Sequence, residues 1–217
     1  MRSEEIAQYL QDNPQFFEEH ADLISRMVIP HPHGGRTISI TERQMLGLRD
    51  KNKLLEGKMG ELLQFGEEND TISEKMHRLG VAMIAAASFQ SVLHTLNFHL
   101  RDDFAIPHVA LRLWDHPENS EELPEFADVS EELQEFAETL NQPYCGSTSG
   151  FETSSWFGDA STHLRSQALI AMRNGGGTIG MIALGSEEPQ RFYAGMGTLY
   201  LERLGEMASA ALARVLR

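Results

Sequence analysis

The sequence predicts an α+β fold in which an antiparallel sheet is flanked by helices and preceded by an N-terminal helical region containing a long, heptad-like helix. Three observations predict it. A stripe of apolar residues, with Asn52 and Asn69 as its polar members, recurs at steps of three and four from residue 45 to residue 83, the signature of one long amphipathic helix. Two apolar runs, 167–172 and 178–184, flank Asn174-Gly175-Gly176-Gly177, a strong signal for an antiparallel hairpin. A final stripe of Met196, Leu199, Leu201, Leu204, Met207, Leu212 and Leu216 outlines a closing helix.

The elements follow in order. Ser3 ahead of Glu4 and Glu5 reads as a helix cap with acids in the first turn, and Ile6, Tyr9 and Leu10 supply the apolar face. Asn13-Pro14 opens a second short helix carrying Phe16, Phe17, Leu23, Ile24 and Met27, since proline is tolerated at a helix start. Ile29-Pro30-His31-Pro32-His33-Gly34-Gly35 cannot continue a helix and reads as a turn or linker. His31 and His33 lack a third nearby ligand, so this loop is not expected to hold a metal. These elements form a region 1–40.

Region 41–83 is the long helix, with Thr41 and Gln44 at capping-box spacing. Its seam comprises Met45, Leu48, Asn52, Leu55, Met59, Leu62, Phe65, Asn69, Ile72 and Met76, and the stripe continues through Leu79 to Met83. Leu62 to Phe65 is a second consecutive step of three, a stammer that would overwind a coiled coil. Gly57, Gly60 and Gly66 weaken helix propensity and suit a helix packed on its own domain. Asparagines within a seam favour the other reading, a homodimer whose register they set.

Region 84–217 holds the sheet. Helical spacing continues from Val81 to Leu100 through Phe89, Leu93 and Leu96, and Pro107 ends it. Val109 to Trp114 alternates as a half-buried strand does, and Val129 to Leu140 reads as a helix with one charged side. Tyr144 to Phe151 reads as a short strand or loop, and Ser154-Ser155 before Trp156 as the start of another short helix.

Composition bounds the function. Hydrophobic residues make up 41% of the 217 and charged residues 23%, an ordinary globular balance. The net charge of −14 is concentrated between Asp115 and Glu138, which hold ten acids and no Lys or Arg. That field does not favour phosphate backbones, and Arg49, Lys51 and Lys53, flanked by acids, read as a solvated helix face; direct nucleic-acid binding is not expected. The N-terminus lacks a basic start followed by an apolar core, and no apolar stretch reaches bilayer length, so a cytoplasmic protein without a membrane span is expected. Cys145 is the sole cysteine, which suits a reducing compartment and excludes both an internal disulfide and a multi-cysteine metal site.

The succession of helix, strand, acidic helix, loop, hairpin and long terminal helix resembles that of GAF domains. Arg165 to Met172, the glycine turn, and Ile179 to Ser186 resemble that family's last strand pair. Asn13-Pro14-Gln15-Phe16-Phe17, Ile29-Pro30-His31, Thr41-Glu42-Arg43-Gln44 and Glu188-Pro189-Gln190-Arg191-Phe192-Tyr193 make the whole chain resemble the bacterial DUF484 family of uncharacterised proteins. The resemblance implies a GAF-like sheet and a small-molecule cavity covered by Glu118–Leu140 and Tyr144–Leu164. Arg112, Tyr144, Cys145, Trp156, Phe157 and Arg165 are the candidates for lining it.

Known GAF activities find no match in the residues. The Asn-Lys-Phe-Asp-Glu signature of cyclic-nucleotide relatives is absent, and Cys145 is followed by Gly146 where tetrapyrrole attachment uses a Cys-His pair. A thiol-based sulfoxide reductase needs partner cysteines that this chain lacks. No Gly-x-Ser-x-Gly elbow is present. The expected function is therefore a non-enzymatic sensory module that binds an unidentified small molecule, needs no cofactor or metal, and signals through a dimeric helix. The alternative is a ligand-free adaptor for a protein partner; a tyrosine site-specific recombinase is the candidate because family genes often lie beside one. A Cys145-dependent redox enzyme is the weakest reading.

Overall fold

A computed structural model describes residues 2–30, 37–114 and 123–216 and divides the chain into two units, Met1–Glu67 and Glu68–Arg217. In the first unit, α1 (Ser3–Asp12) begins at the expected cap itself: Arg2, one residue ahead, holds the cap position, and its N–H donates to Glu5 Oε2 at 2.9 Å. The Asn13 amide donates back to the Tyr9 carbonyl at 2.8 Å and closes α1. The single second helix expected from Asn13 to Met27 is split instead into α2 (Gln15–Glu19) and α3 (Ala21–Arg26) at His20. His20 has φ −119° and ψ 37°, outside helical geometry. The first two residues of the segment read as a linker, Ile29 and Pro30, belong to β1 (Val28–Pro30), which pairs antiparallel with β2 (Thr37–Ser39) beyond that segment, Ile29 opposite Ile38. His31 and His33 lie outside the described residues.

Next comes α4 (Ile40–Ala85), 46 residues long and unbroken at the Leu62–Phe65 step. Its residues within the first unit are exposed or half-buried, and no described residue of that unit is buried. Met45, Leu48, Leu55, Met59, Leu62 and Phe65 are 51–69% exposed. Glycines 47, 57, 60 and 66 face open space, where an added Cβ would touch nothing.

In the second unit the same helix changes environment. Met76, Leu79 and Met83 are buried in the core of their own chain, with Ile72 packed against them. Ile72 and Met76, expected in the dimer seam, thus spend their apolar surface inside the domain. The helix ends at Ala85, two residues past the expected Met83, and the helical spacing read on to Leu100 belongs to separate elements. Ser88 caps a new helix, α5 (Phe89–Phe98), its Oγ accepting from the Ser91 N–H at 3.2 Å. A π-helical turn, His99–Asp103, follows, with His99 Nδ1 2.6 Å from Asp103 Oδ2.

The sheet has four antiparallel strands in the order β3-β6-β5-β4: β3 (His108–Leu113), β6 (Gly177–Ser186), β5 (Ser166–Asn174) and β4 (Tyr144–Gly146). The β5–β6 hairpin is central, as its apolar runs require, because both faces of the two strands are covered. Gly175 and Gly176 turn it with φ of 61° and 105°, conformations that side chains with a Cβ rarely adopt. Gly180 lets β3 and β6 approach, since a Cβ there would collide with the Arg112 carbonyl and with Leu113 Cδ2 and Met172 Cε.

Alternation assigns the two faces. Ala168, Ile170 and Met172 of β5, Ile182 and Leu184 of β6, and Leu111 and Leu113 of β3 face the main core with the end of α4, α5 and α7 (Leu199–Val215). Each fully buried Leu or Met here contributes about 1.5–3 kcal/mol. Gly205 brings α7 onto β5: a Cβ would lie 2.6 Å from Ile170 Cγ2. Leu169, Met181 and Ala183 face the other way, under α6 (Glu131–Thr139) and a 3-10 segment, Glu152–Thr162, kinked at Gly158. This α+β architecture, with its antiparallel sheet and flanking helices, agrees with the class the sequence predicts.

Candidate functional site

Strand alternation places His108, Ala110 and Arg112 on the face opposite Leu111 and Leu113, and Trp114 beyond the strand end joins the cluster on that side. Arg112 is half-buried, and its guanidinium carbon lies 5.1 Å from the centre of the Trp156 ring. Its Nη1 donates to the Leu111 carbonyl at 2.9 Å. No other hydrogen bond engages it among the described residues, although a guanidinium has five donors. Desolvation lowers the affinity of Arg112 for its proton, with the Glu125 carboxylate acting in the opposite direction. A partly desolvated cation on an indole face, with donors to spare, is suited to an anionic or carbonyl-bearing group.

The surroundings are aromatic. Phe157 meets His108 edge to face at 6.3 Å, and Phe151 lies 5.3 Å from Phe136 and 4.9 Å from Tyr144. The Tyr144 hydroxyl donates to the Ser147 carbonyl at 3.1 Å, so its polar end is already used. Beneath this layer the buried Thr153 donates to Gln167 Oε1 at 3.0 Å, while Gln167 Nε2 donates to the Ser147 carbonyl at 3.3 Å. That pair anchors the 3-10 segment to β5.

The six expected lining residues separate. Arg112, Trp156 and Phe157 lie on one face of the sheet, and Tyr144 occupies the same face at the opposite edge strand. Cys145, one residue on, turns to the main core by the alternation of β4. Burial pushes its thiol up to about 11, which opposes a reactive thiolate. Arg165 is exposed just before β5.

Between the two covering segments lies a cleft of about 300 Å³, lined by Ser130, Glu132, Leu133 and Phe136 on one side and Gly150, Phe151 and Glu152 on the other, with no residue of the sheet in its lining. None of the six expected residues lines it. A second cleft, of about 290 Å³, opens where β5 outruns the three-residue β4, between Leu140–Pro143, Arg173 and Glu202, Glu206 and Ser209 of α7. Phe136 and Phe151, the aromatic residues of the covering segments, could have indicated the first cleft. The second depends on strand lengths that no motif records. Among the described residues no group of three or more His, Cys, Asp or Glu is placed to hold a metal, and no helix is long and apolar enough to cross a membrane.

The chain's similarities extend over its whole length. A family model described as protein of unknown function, DUF484, matches residues 1–216. The uncharacterized protein YigA of Salmonella typhimurium LT2 is 26% identical over 216 residues, covering 96% of this chain and 90% of the relative. Its counterparts in Shigella flexneri and Escherichia coli K12 are 25% and 24% identical with the same coverage.

Proposed function

This chain belongs to the DUF484 family of proteins of unknown function, and from that premise we propose that it is a homodimeric, GAF-like regulatory module. It binds a small molecule on the face of the sheet that carries Arg112 and signals through the long helix. The observation that carries the reading is the double use of α4: its residues 45–65 present exposed apolar side chains, whereas Met76, Leu79 and Met83 are built into the core beneath the sheet. A ligand that favours one packing of that core over another thereby acts on the helix itself, provided its affinity differs between the two states. Arg112, with its unused donors above Trp156, supports a ligand bearing an anionic group.

Native mass spectrometry of freshly purified protein tests this reading. The expected native mass is two chains plus a small molecule, with the bare chain released under denaturing conditions. Arg112→Ala should lose the small molecule and keep the dimer. A ligand-free monomer would overturn the proposal.

A second reading, a ligand-free adaptor for a protein partner, draws on two observations. Glu131, Glu132, Glu135 and Glu138 form an exposed acidic side of α6, and every buried side-chain polar atom among the described residues already has a partner. It predicts a dimer without added mass and binding to a basic partner that weakens with salt. Enzymatic use of Cys145 has the least support, because a thiol of pKa about 11 is ionised to only about 1 part in 10⁴ at neutral pH.

A further inference from the structure

We propose that the second copy lies parallel to and in register with the first along residues 45–62 of α4; the inference rests on the dimeric reading above and specifies its geometry. Counting Met45 as the first core position of a heptad, Met45, Asn52 and Met59 share one core position and Leu48, Leu55 and Leu62 the other. The five apolar members are 51–69% exposed, and Asn52 is exposed with them. A stripe of this length has no cover within its own unit, which contains no buried residue among those described.

The flanks of the stripe decide orientation. Lys51 and Lys58 stand on one flank, Arg49 and Glu56 on the other. In a parallel, in-register pair each residue of the first flank meets the second-flank residue five positions further along the other chain. Lys51 then faces Glu56 of the partner subunit, and symmetry makes the contact twice. In an antiparallel pair like flanks meet, and lysine set against lysine on one flank offsets the attraction of Arg49 for Glu56 on the other, whereas the parallel pair has the attraction alone. Lys51 forms no ion pair with a described residue, and Glu56 receives only the Asn52 amide at 3.1 Å, so both ends of the contact are free to form. Leucine at three successive second core positions, with one asparagine among the first, suits two strands. Gly47, Gly57 and Gly60 fall at outer positions and leave the seam intact.

The test uses the full chain carrying Cys145→Ala, with a single cysteine introduced as Leu55→Cys or Leu62→Cys. Helicity is checked by circular dichroism, association by sedimentation, and covalent pairing after oxidation with glutathione. The expected result is a dimer that becomes disulfide-linked through either cysteine, while Asp50→Cys, on the outer surface, stays unlinked. A dimer that does not crosslink through 55 or 62 would overturn the parallel register and leave the dimeric reading standing. A monomer of the Cys145→Ala parent would overturn the dimeric reading itself. Lys51→Glu should weaken association roughly tenfold, and adding Glu56→Lys should restore it; a double variant no better than the single one would remove the proposed pair.

Discussion

Arg214 lies 128–131 residues from the groups it holds: its guanidinium donates to the carbonyls of Met83 at 3.0 Å, Ile84 at 2.7 Å and Ala86 at the end of α4. Helix C-termini leave carbonyls without intrahelical partners, and a cation there also complements the helix dipole. Arg214→Ala should therefore cost about 1–2 kcal/mol in urea unfolding, and Arg214→Lys should recover less than half, because an ammonium cannot fork between carbonyls. This contact was illegible beforehand, since nothing near Arg214 in the chain names its partners. Gly180 was more readable, because a glycine inside a strand signals close approach. Gly180→Ala would drive a methyl into the Arg112 carbonyl and should cost about 1–3 kcal/mol or prevent folding, as read by thermal melting. Cys145 gives a pH signature. Its thiol ionises near 8.5 when unfolded and near 11 when folded, so the unfolded chain releases its proton first. Stability should fall as pH rises through that interval, and the urea midpoint of Cys145→Ala should lack this part of the slope.

At the scale of elements, periodicity was a reliable guide wherever one side of an element differed from the other. The long helix, the α6 helix and the closing helix announce themselves by their stripes, and the central hairpin by its glycine turn. Periodicity alone could not divide a helix whose stripe continues past its end: the break at Ala86–Ser88 depends on the Ser88 cap and on Arg214, neither of which alters the apolar spacing. Nor could it say which stretch of one stripe meets its own core. The candidate site reads in the sequence as two covering segments, and the structure separates its residues because Tyr144 and Cys145 are neighbours in sequence and opposites in a strand. Gly57 and Gly60 illustrate the converse. Their low helix propensity weighs against a paired helix, and both face open space. Gly57→Ala and Gly60→Ala should each stabilise α4 by about 1 kcal/mol, seen as a higher melting temperature of the helical circular dichroism signal. A loss of stability at either position would mean that something packs there.

For the whole molecule, the contrast between the two units sets the final expectation. The second unit buries a core on both faces of its sheet, whereas the first has no buried residue among those described and exposes apolar side chains from Ile6 and Tyr9 to Leu62 and Phe65. A helix propagates cheaply once nucleated, but fixing each residue costs about 1–2 kcal/mol of backbone entropy. Without apolar burial, few terms offset that cost. If a second copy supplies the burial, order in residues 45–62 is linked to association and must depend on concentration. Hydrogen exchange should therefore show the amides of 45–62 protected at high protein concentration and increasingly labile on dilution below the dimer dissociation constant. Over the same range the amides of β5 and β6 should keep their protection, because their cover comes from α6 and α7 of the same chain. Protection of 45–62 that is indifferent to concentration would mean that the helix is held by its own chain. Equal loss in β5 and β6 would mean that the chain unfolds as one when the dimer parts, and that no order in the helix can be separated from order in the sheet.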